Sequence, residues 1–477
     1  MTTPLWTWDE LCDAVPFAVA EGTPDGAITG FSIDTRSLQS GDVFVALKDQ
    51  RDGHEFVTAA FKAGAAAAIV SESYQRKPGD GALLRSDRDV LKALVAAGAA
   101  ARQRLVPSAR VIAVTGSAGK TGTKEMLRAC LSTVAPGKVH ASEKSYNNHW
   151  GVPLTLARMP AGTDFAVFEI GMNHAGEIAP LSKLVRPHAA IVTTVEAVHL
   201  EHFGSVEDIA DAKAEIFQGL VPGGAAIIKR DNPHFDRLRV RAEIESARVV
   251  SFGLGASADV SAVAYVPGDD GSEVTARVRD SLYTFRLAMP GRHIAENALA
   301  AIAALDAAGA DVEMAVSALA TLAPAAGRGL RTRLLIAGGD ALLIDESYNA
   351  NPASMRAALA TLAAVPREKF PRRIAVLGDM LELGPEAAAL HHGLKVAVDE
   401  AGVDLIFACG PHMKGLYDVV PSGMRGGYAA TASVLEPSLQ AALRPGDVVM
   451  IKASNGTRLA PLVEALKTRF GRSAAGG

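Results

Sequence analysis

The feature that most constrains this chain is the stretch 111–126, VIAVTGSAGKTGTKEM: an apolar strand-like run, a glycine-rich turn and then a helix-like run. A polyphosphate needs that layout. Glycines let backbone N–H groups close around phosphates, the helix N-terminus adds positive potential, Lys120 reaches the outer phosphates and the Thr121 hydroxyl can ligate Mg2+. The spacing departs from the usual GxxxxGK pattern, because Val114 stands where that pattern has glycine. The loop is therefore the shorter TGxxGKT form, running from Thr115 through Gly116, Ser117, Ala118, Gly119, Lys120 and Thr121 to Gly122. Alone, it suits a kinase, a GTPase, a ligase or a nucleotide-gated scaffold.

A chain of 477 residues exceeds what one core usually serves and suggests about three domains. With 48 basic and 52 acidic residues the net charge is −4, which gives no bulk attraction to nucleic acid or an anionic membrane, so an anionic ligand needs a local site. Cys12, Cys130 and Cys409 are far apart and form no CxxC pair; they read as small core residues in a reducing compartment. The N-terminal MTTPLWTWDELCDAV has no basic region followed by an apolar stretch, and no alanine-rich run reaches about 18 apolar residues. The expectation is a soluble cytoplasmic protein with no membrane insertion.

The chain reads as α/β with three domains. Residues 1–86 hold short strand candidates (43–47, 67–70) and a helical segment, 55–63, which Gly64 would end. Residues 87–322 start with a helical run, 90–105, and after the glycine-rich turn alternate strand candidates (165–170, 189–194, 225–228) with helices, as in a mostly parallel sheet covered on both faces. Between about 250 and 289 short alternating segments suggest a small antiparallel insert, and 295–308 reads as a buried Ala-rich helix. The Pro/Gly-bearing stretch 324–329 marks a boundary. Residues 323–477, with strand candidates 342–344, 374–377, 405–409 and 448–451, read as a second doubly wound, Rossmann-like domain without a phosphate loop.

Several side chains could carry chemistry. Glu169 ends an apolar strand just before Gly171, where open α/β sheets build their sites, and could hold a nucleotide's Mg2+ or be a solvated strand-end charge. His199, after the next strand candidate, could ligate a second metal or be structural. Lys213 lies on a probable helix and, from the residues alone, reads as an ordinary surface lysine. Asp345 ends a strand and opens Glu346-Ser347-Tyr348-Asn349-Ala350-Asn351-Pro352, a turn that could position a polar substrate, or in which Asn351 and Ser354 could simply cap a helix. Similar clusters at 378–380 and 452–456 point to one binding edge.

In combination, these motifs resemble the Mur ligase family of ATP-dependent amide-bond-forming enzymes in peptidoglycan precursor synthesis. The resemblance covers nearly the whole chain: DTRSLQSGDVFVALKDQRDGHEF (34–56), the phosphate loop, NNHWGVPLTL (147–156), EIGMNHAGEI (169–178), HLEHFGS (199–205), AKAEIF (212–217), GRHIAENALAA (291–301), GRG (327–329), DESYNANPASM (345–355) and LGDMLELG (377–384). It implies ATP and Mg2+ as cofactors and, as partners, two small-molecule substrates, D-alanyl-D-alanine and UDP-N-acetylmuramoyl-tripeptide, handled by a monomer. In the implied scheme Lys120 stabilises the transferring phosphoryl group, Thr121 and Glu169 hold one Mg2+, and His199 helps hold a second. Lys213 matches a lysine that is carbamylated in most of the family. His293 and Asn297 match an adenine-contacting segment, Arg328 a hinge arginine directed at the phosphates, and Asp345 an ATP-contacting carboxylate. Tyr348, Asn349 and Asn351 resemble the dipeptide-handling turn, and Asp34, Arg36, Asp52 and His54, with Asn147 and Asn148, the region for the UDP-sugar peptide. Ile294 replaces the asparagine common after the histidine, Asp49 a common glycine, and KASNGTR (452–458) a more compact KGSR, which leaves Arg458 as the arginine of that segment. Folylpolyglutamate synthetase shares the central and C-terminal architecture but lacks a separate uridine-nucleotide domain.

Overall fold

The computed structural model describes residues 4–143, 145–198, 200–268 and 270–471. They build three sheets in chain order. The first has five strands, ordered Ala18–Glu21, Ala82–Ser86, Ala67–Ser71, Asp42–Val45, Gly30–Ser32, parallel except for the first pair. Its helical segment is split into a 3-10 turn, Gly53–Phe56, and a helix, Val57–Lys62, because the Asp52 side chain accepts from the His54 N–H and caps the tighter turn first.

The central sheet has nine strands, and the alternating pattern explains its two covered faces. Along Arg110–Thr115, Ile112 and Val114 point into a core shared with Met126 and Leu127 of the helix Lys120–Val134 and with the helix Arg292–Ala307. Val111 and Ala113 point the other way, into a core with Phe168, Ile178 and Ile209. The strands Phe165–Glu169, Ala189–Val192 and Ala225–Lys229 lie parallel to it or to one another. The expected antiparallel insert is present as Val260–Gly268, Gly271–Val278 and Ser281–Leu287. It begins later than the sequence suggested: residues 250–253 belong to Arg248–Gly253, a strand that pairs parallel with Ala225–Lys229 because its last four residues are buried.

The third sheet is ordered Leu330–Ile336, Gly339–Glu346, Asp447–Lys452, Arg372–Gly378, Leu405–Cys409, Arg425–Ala429, with the first pair antiparallel and the rest parallel. Alternate residues of these strands feed two apolar layers, so helices cover both faces here as well. Among the described residues no helix is long and apolar enough to cross a membrane. Burial raises the Cys130 thiol to about 12 and the Cys409 thiol to about 11, so both are inert core thiols near neutral pH.

Candidate active site

The phosphate loop leaves the strand Arg110–Thr115 and closes at Gly119, a left-handed residue (φ 83°) directly before the helix Lys120–Val134. Two of its glycines are there for space. Gly116 has φ 147°, and a Cβ would overlap the Thr193 hydroxyl; at Gly119 a Cβ would crowd the side-chain amide of Asn297. The residues after Ala189–Val192 clamp the loop from its other side. Thr193 Oγ1 donates to the carbonyls of Ala118 and Thr115, Ser117 N donates to the Thr194 carbonyl (2.9 Å), and Ser117 Oγ both donates to the Glu196 carbonyl (3.2 Å) and accepts from Glu196 N (2.9 Å). Sequence reasoning missed this clamp, whose signal was the polar Thr193-Thr194 pair at the end of a buried apolar strand.

Lys120 is partly buried, and its ammonium donates to the Gly116 carbonyl at 2.6 Å. Burial lowers its pKa; the charge of Glu169 opposes that and Arg328 adds to it. Thr121 Oγ1 donates to Glu169 Oε2 (2.8 Å), and Asn147 Nδ2 donates to Glu169 Oε1 (2.8 Å). Glu169 is 1% exposed, so this strand-end carboxylate is no solvated surface charge. Lys213 is likewise no surface lysine: at 2% exposure on the inner side of Val206–Ala214, its pKa is driven well below the usual lysine range by burial, then by the like charge of Lys120. A short helix whose apolar residues, Val206, Ile209, Ala210, Ala212 and Ala214, include three alanines gave too little to tell which face a lysine occupied. His199 lies outside the described residues.

A Mg2+ ion takes oxygen ligands and usually keeps several waters, with one or two carboxylates plus substrate phosphates completing its shell. Thr121 and Glu169 beside the loop fit that donor set. Among the described residues no cluster of three or more His, Cys, Asp or Glu is disposed to hold a metal.

The C-terminal sheet meets this edge through Arg328. Its guanidinium stacks over the Tyr348 ring at 4.0 Å, and its charge acts on both Lys120 and Lys452. Asp345 holds the turn that carries it: Oδ2 accepts from Gly327 N (2.9 Å), Oδ1 from Ser347 N (3.1 Å) and Ser347 Oγ (2.6 Å), and the Asp345 carbonyl from Gly329 N (2.8 Å). The three strand-end clusters expected to share one edge are bonded together. Lys452 donates to the Asn349 carbonyl (3.0 Å), Ser454 Oγ donates to the Ala350 carbonyl (3.1 Å) and accepts from Leu381 N (3.0 Å), and Thr457 Oγ1 donates to the Asp379 carbonyl (3.1 Å). Asn349 is exposed. Asn351 caps the helix Pro352–Ala363 through a reciprocal box with Ser354, the structural one of its two readings. Arg458 is exposed and left-handed (φ 57°) at the end of this segment.

His293 packs beside Gly291, and burial lowers its pKa against the opposing charges of Glu346 and Glu296. Asn297, four residues on in the same helix, lies against Gly119 and near Gly122, so the expected adenine segment adjoins the loop. In the N-terminal sheet His54 Nδ1 contacts Asp52 Oδ1 (2.6 Å) while Nε2 accepts from Ser71 N (2.9 Å), which places the ring proton on Nδ1. Hydrogen bonds from the His54 backbone and ring hold the Asp52 carboxyl below its usual range. Both line a cleft of about 580 Å³ with Lys48, Tyr74 and Lys77. Asp34 and Arg36 form an exposed bidentate pair and do not line that cleft. Asn148 Oδ1 accepts from Trp150 N (3.2 Å) and Gly151 N (2.9 Å) at the start of the helix Gly151–Ala157.

A phosphate loop, a strand-end carboxylate and an arginine in the linker to a following Rossmann-like sheet define a phosphate-loop nucleotide-binding architecture, and the comparisons give its family. Residues 114–305 match the Mur ligase middle domain and residues 330–455 the Mur ligase glutamate ligase domain. The chain belongs to the Mur ligase family. Among its relatives are the UDP-N-acetylmuramoyl-tripeptide--D-alanyl-D-alanine ligases of Escherichia coli, 37% identical over 93% of this chain and 94% of that protein, and of Bacillus subtilis, 34% identical over 92% and 93%. Among solved structures, MurF from Acinetobacter baumannii superposes with a TM-score of 0.83 at 31% identity, over 97% of this chain and 99% of that one. The MurF ligase from Thermotoga maritima in complex with ADP gives 0.75 at 26% identity, over 93% and 99%.

Proposed function

We propose that this chain joins D-alanyl-D-alanine to UDP-N-acetylmuramoyl-tripeptide at the expense of ATP, releasing ADP and phosphate. The observation that carries the reading is the convergence of Lys120, Glu169, Lys213 and Arg328, drawn from the central sheet and the linker after it, on one phosphate loop, in a chain that matches ligases of this reaction along almost its whole length. A free carboxylate is a poor electrophile. Transfer of the γ-phosphoryl group to the tripeptide's terminal carboxylate makes an acyl phosphate; the dipeptide amine then attacks that carbon, and phosphate leaves from the tetrahedral intermediate.

The protein's part is to position reactants, neutralise charge and keep water out. Lys120 exchanges its bond to the Gly116 carbonyl for the phosphate oxygens, and Arg328 adds a second cation. The backbone N–H groups at Gly119 and beyond face the phosphates. Mg2+ would be held by Thr121 and Glu169, where it supplies charge neutralisation on the phosphates. The buried amine of Lys213, whose pKa burial lowers, is suited to capture CO2 as a carbamate, an anion with which His199 would complete a second metal site. His293 and Asn297 take the adenosine side, Asp345 keeps Arg328 in place, and Tyr348 and Asn349 face the dipeptide. Asp52, His54, Asp34, Arg36, Asn147 and Asn148 take the UDP-sugar peptide.

In domain terms, residues 1–86 bind the nucleotide-linked peptide, 87–322 bind ATP, and 323–477 bring the dipeptide and close on the nucleotide. A cytoplasmic monomer fits both substrates' chemistry and the free buried thiols. Phosphate release measured with each substrate omitted in turn tests the reading. Turnover requires ATP, UDP-muramoyl-tripeptide and D-Ala-D-Ala together; equal turnover with a folate and glutamate would overturn it.

A further inference from the structure

We propose that Ser145 is a positioning residue that transmits docking of the acceptor turn to the carboxylate of Glu169; the proposal rests on the ligase reading above. A continuous line of hydrogen bonds runs between the two. Tyr348, in the turn of the C-terminal sheet, donates its hydroxyl to Ser145 Oγ at 2.8 Å, across 203 positions of the chain. The Ser145 carbonyl accepts from Asn147 N (2.8 Å), the Asn147 carbonyl accepts from Gly171 N (2.8 Å), and Asn147 Nδ2 donates to Glu169 Oε1. The other oxygen of Glu169 is already held by Thr121.

The line has little slack. The 145–147 turn has its own backbone bond, Gly171 can carry no Cβ without pressing on the Asn147 amide at 3.0 Å, and Glu169 is fixed at a strand end. On the C-terminal side, Tyr348 N donates to the Gly327 carbonyl (3.1 Å), and the Arg328 guanidinium lies over the Tyr348 ring. One hydroxyl-to-hydroxyl contact therefore registers two events together. When Tyr348 reaches Ser145, Arg328 is delivered to the phosphate loop and Asn147 is held against Glu169; when the contact parts, both lose their support. The two states are those of a domain-scale docking, the kind of element on which coupling between sites has a physical basis.

The test is a double-mutant cycle in the full chain with Ser145→Ala, Tyr348→Phe and the pair together. Tyr348→Phe keeps the ring under Arg328 and removes only the oxygen. Three quantities are read in each variant: kcat, the Mg2+ concentration giving half-maximal rate, and Mg2+-dependent affinity for ADP by calorimetry. The expected result is that each single change lowers kcat about fivefold or more and weakens the Mg2+ response, while the pair is no worse than either single change. Ser145→Thr, which keeps the hydroxyl, retains most of the rate. Effects that multiply in the pair, or a loss confined to the KM of the dipeptide, would overturn the coupling. A wild-type chain that turns over with an additive cycle defeats this proposal alone. A wild-type chain that does not turn over defeats the ligase reading, and the cycle in ADP affinity still decides the coupling.

Discussion

The Thr121 hydroxyl donates to Glu169 Oε2 at 2.8 Å, and so ties the first turn of the phosphate-loop helix to the end of the neighbouring strand. If this pair holds Mg2+, Glu169→Gln keeps the shape but removes the charge and leaves one oxygen to accept from either Thr121 or Asn147, not both. The expected outcome is a loss of about 10²-fold in kcat with a higher Mg2+ requirement, checked by titrating Mg2+ in a phosphate-release assay. An unchanged Mg2+ dependence would exclude the carboxylate as a ligand.

Lys120→Ala should abolish turnover, a drop on the order of 10²–10³ or more, while thermal melting and circular dichroism stay near wild type. The fold does not depend on this ammonium, which among the described residues donates to the loop's own Gly116 carbonyl. Retained activity would remove the phosphate-loop assignment.

Lys213→Ala should lose activity, and short carboxylic acids should restore part of it by standing in for a carbamate. Its folded-state pKa lies below the unfolded value of about 10.4. Between the two values the unfolded chain binds more protons, so this residue's contribution makes stability rise with pH through that window. In bicarbonate-free buffer Lys213→Met should flatten that rise, as read from urea midpoints at neutral and alkaline pH. A fully active Lys213→Ala variant would refute the carbamate.

Gly116→Ala should destabilise by about 1–3 kcal/mol and weaken ADP binding, because the new methyl meets the Thr193 hydroxyl at a positive φ. Gly137, also at positive φ but with open space around it, is the control: Gly137→Ala should cost about 1 kcal/mol with ADP affinity unchanged. Melting curves and calorimetry separate the two effects.

Much of the architecture was legible because burial on both faces writes continuous apolar strands, as at Val111, Ile112, Ala113 and Val114, and helices between them force parallel pairing. The phosphate loop was legible because left-handed backbone and close packing demand glycine at 116 and 119. The insert's start was misjudged because Arg248–Gly253 is short and its pairing partner is set by the sheet rather than by its own pattern. Lys213 read as a surface lysine from its residues because a lone cation on a weakly patterned helix carries no local mark of burial.

By itself, then, the sequence determined the local chemistry: where a phosphate is cradled, where a carboxylate ends a strand, and which turn carries phenol and amides. Only the tertiary structure decided which of these groups act on one another. Lys120 with Arg328, Asn147 with Glu169, and Ser145 with Tyr348 are each brought together by sheet order and domain contact over 22 to 203 or more positions of chain. Hydrogen bonds and burial act through space over a few ångströms, and no pattern of neighbours along the chain encodes that proximity.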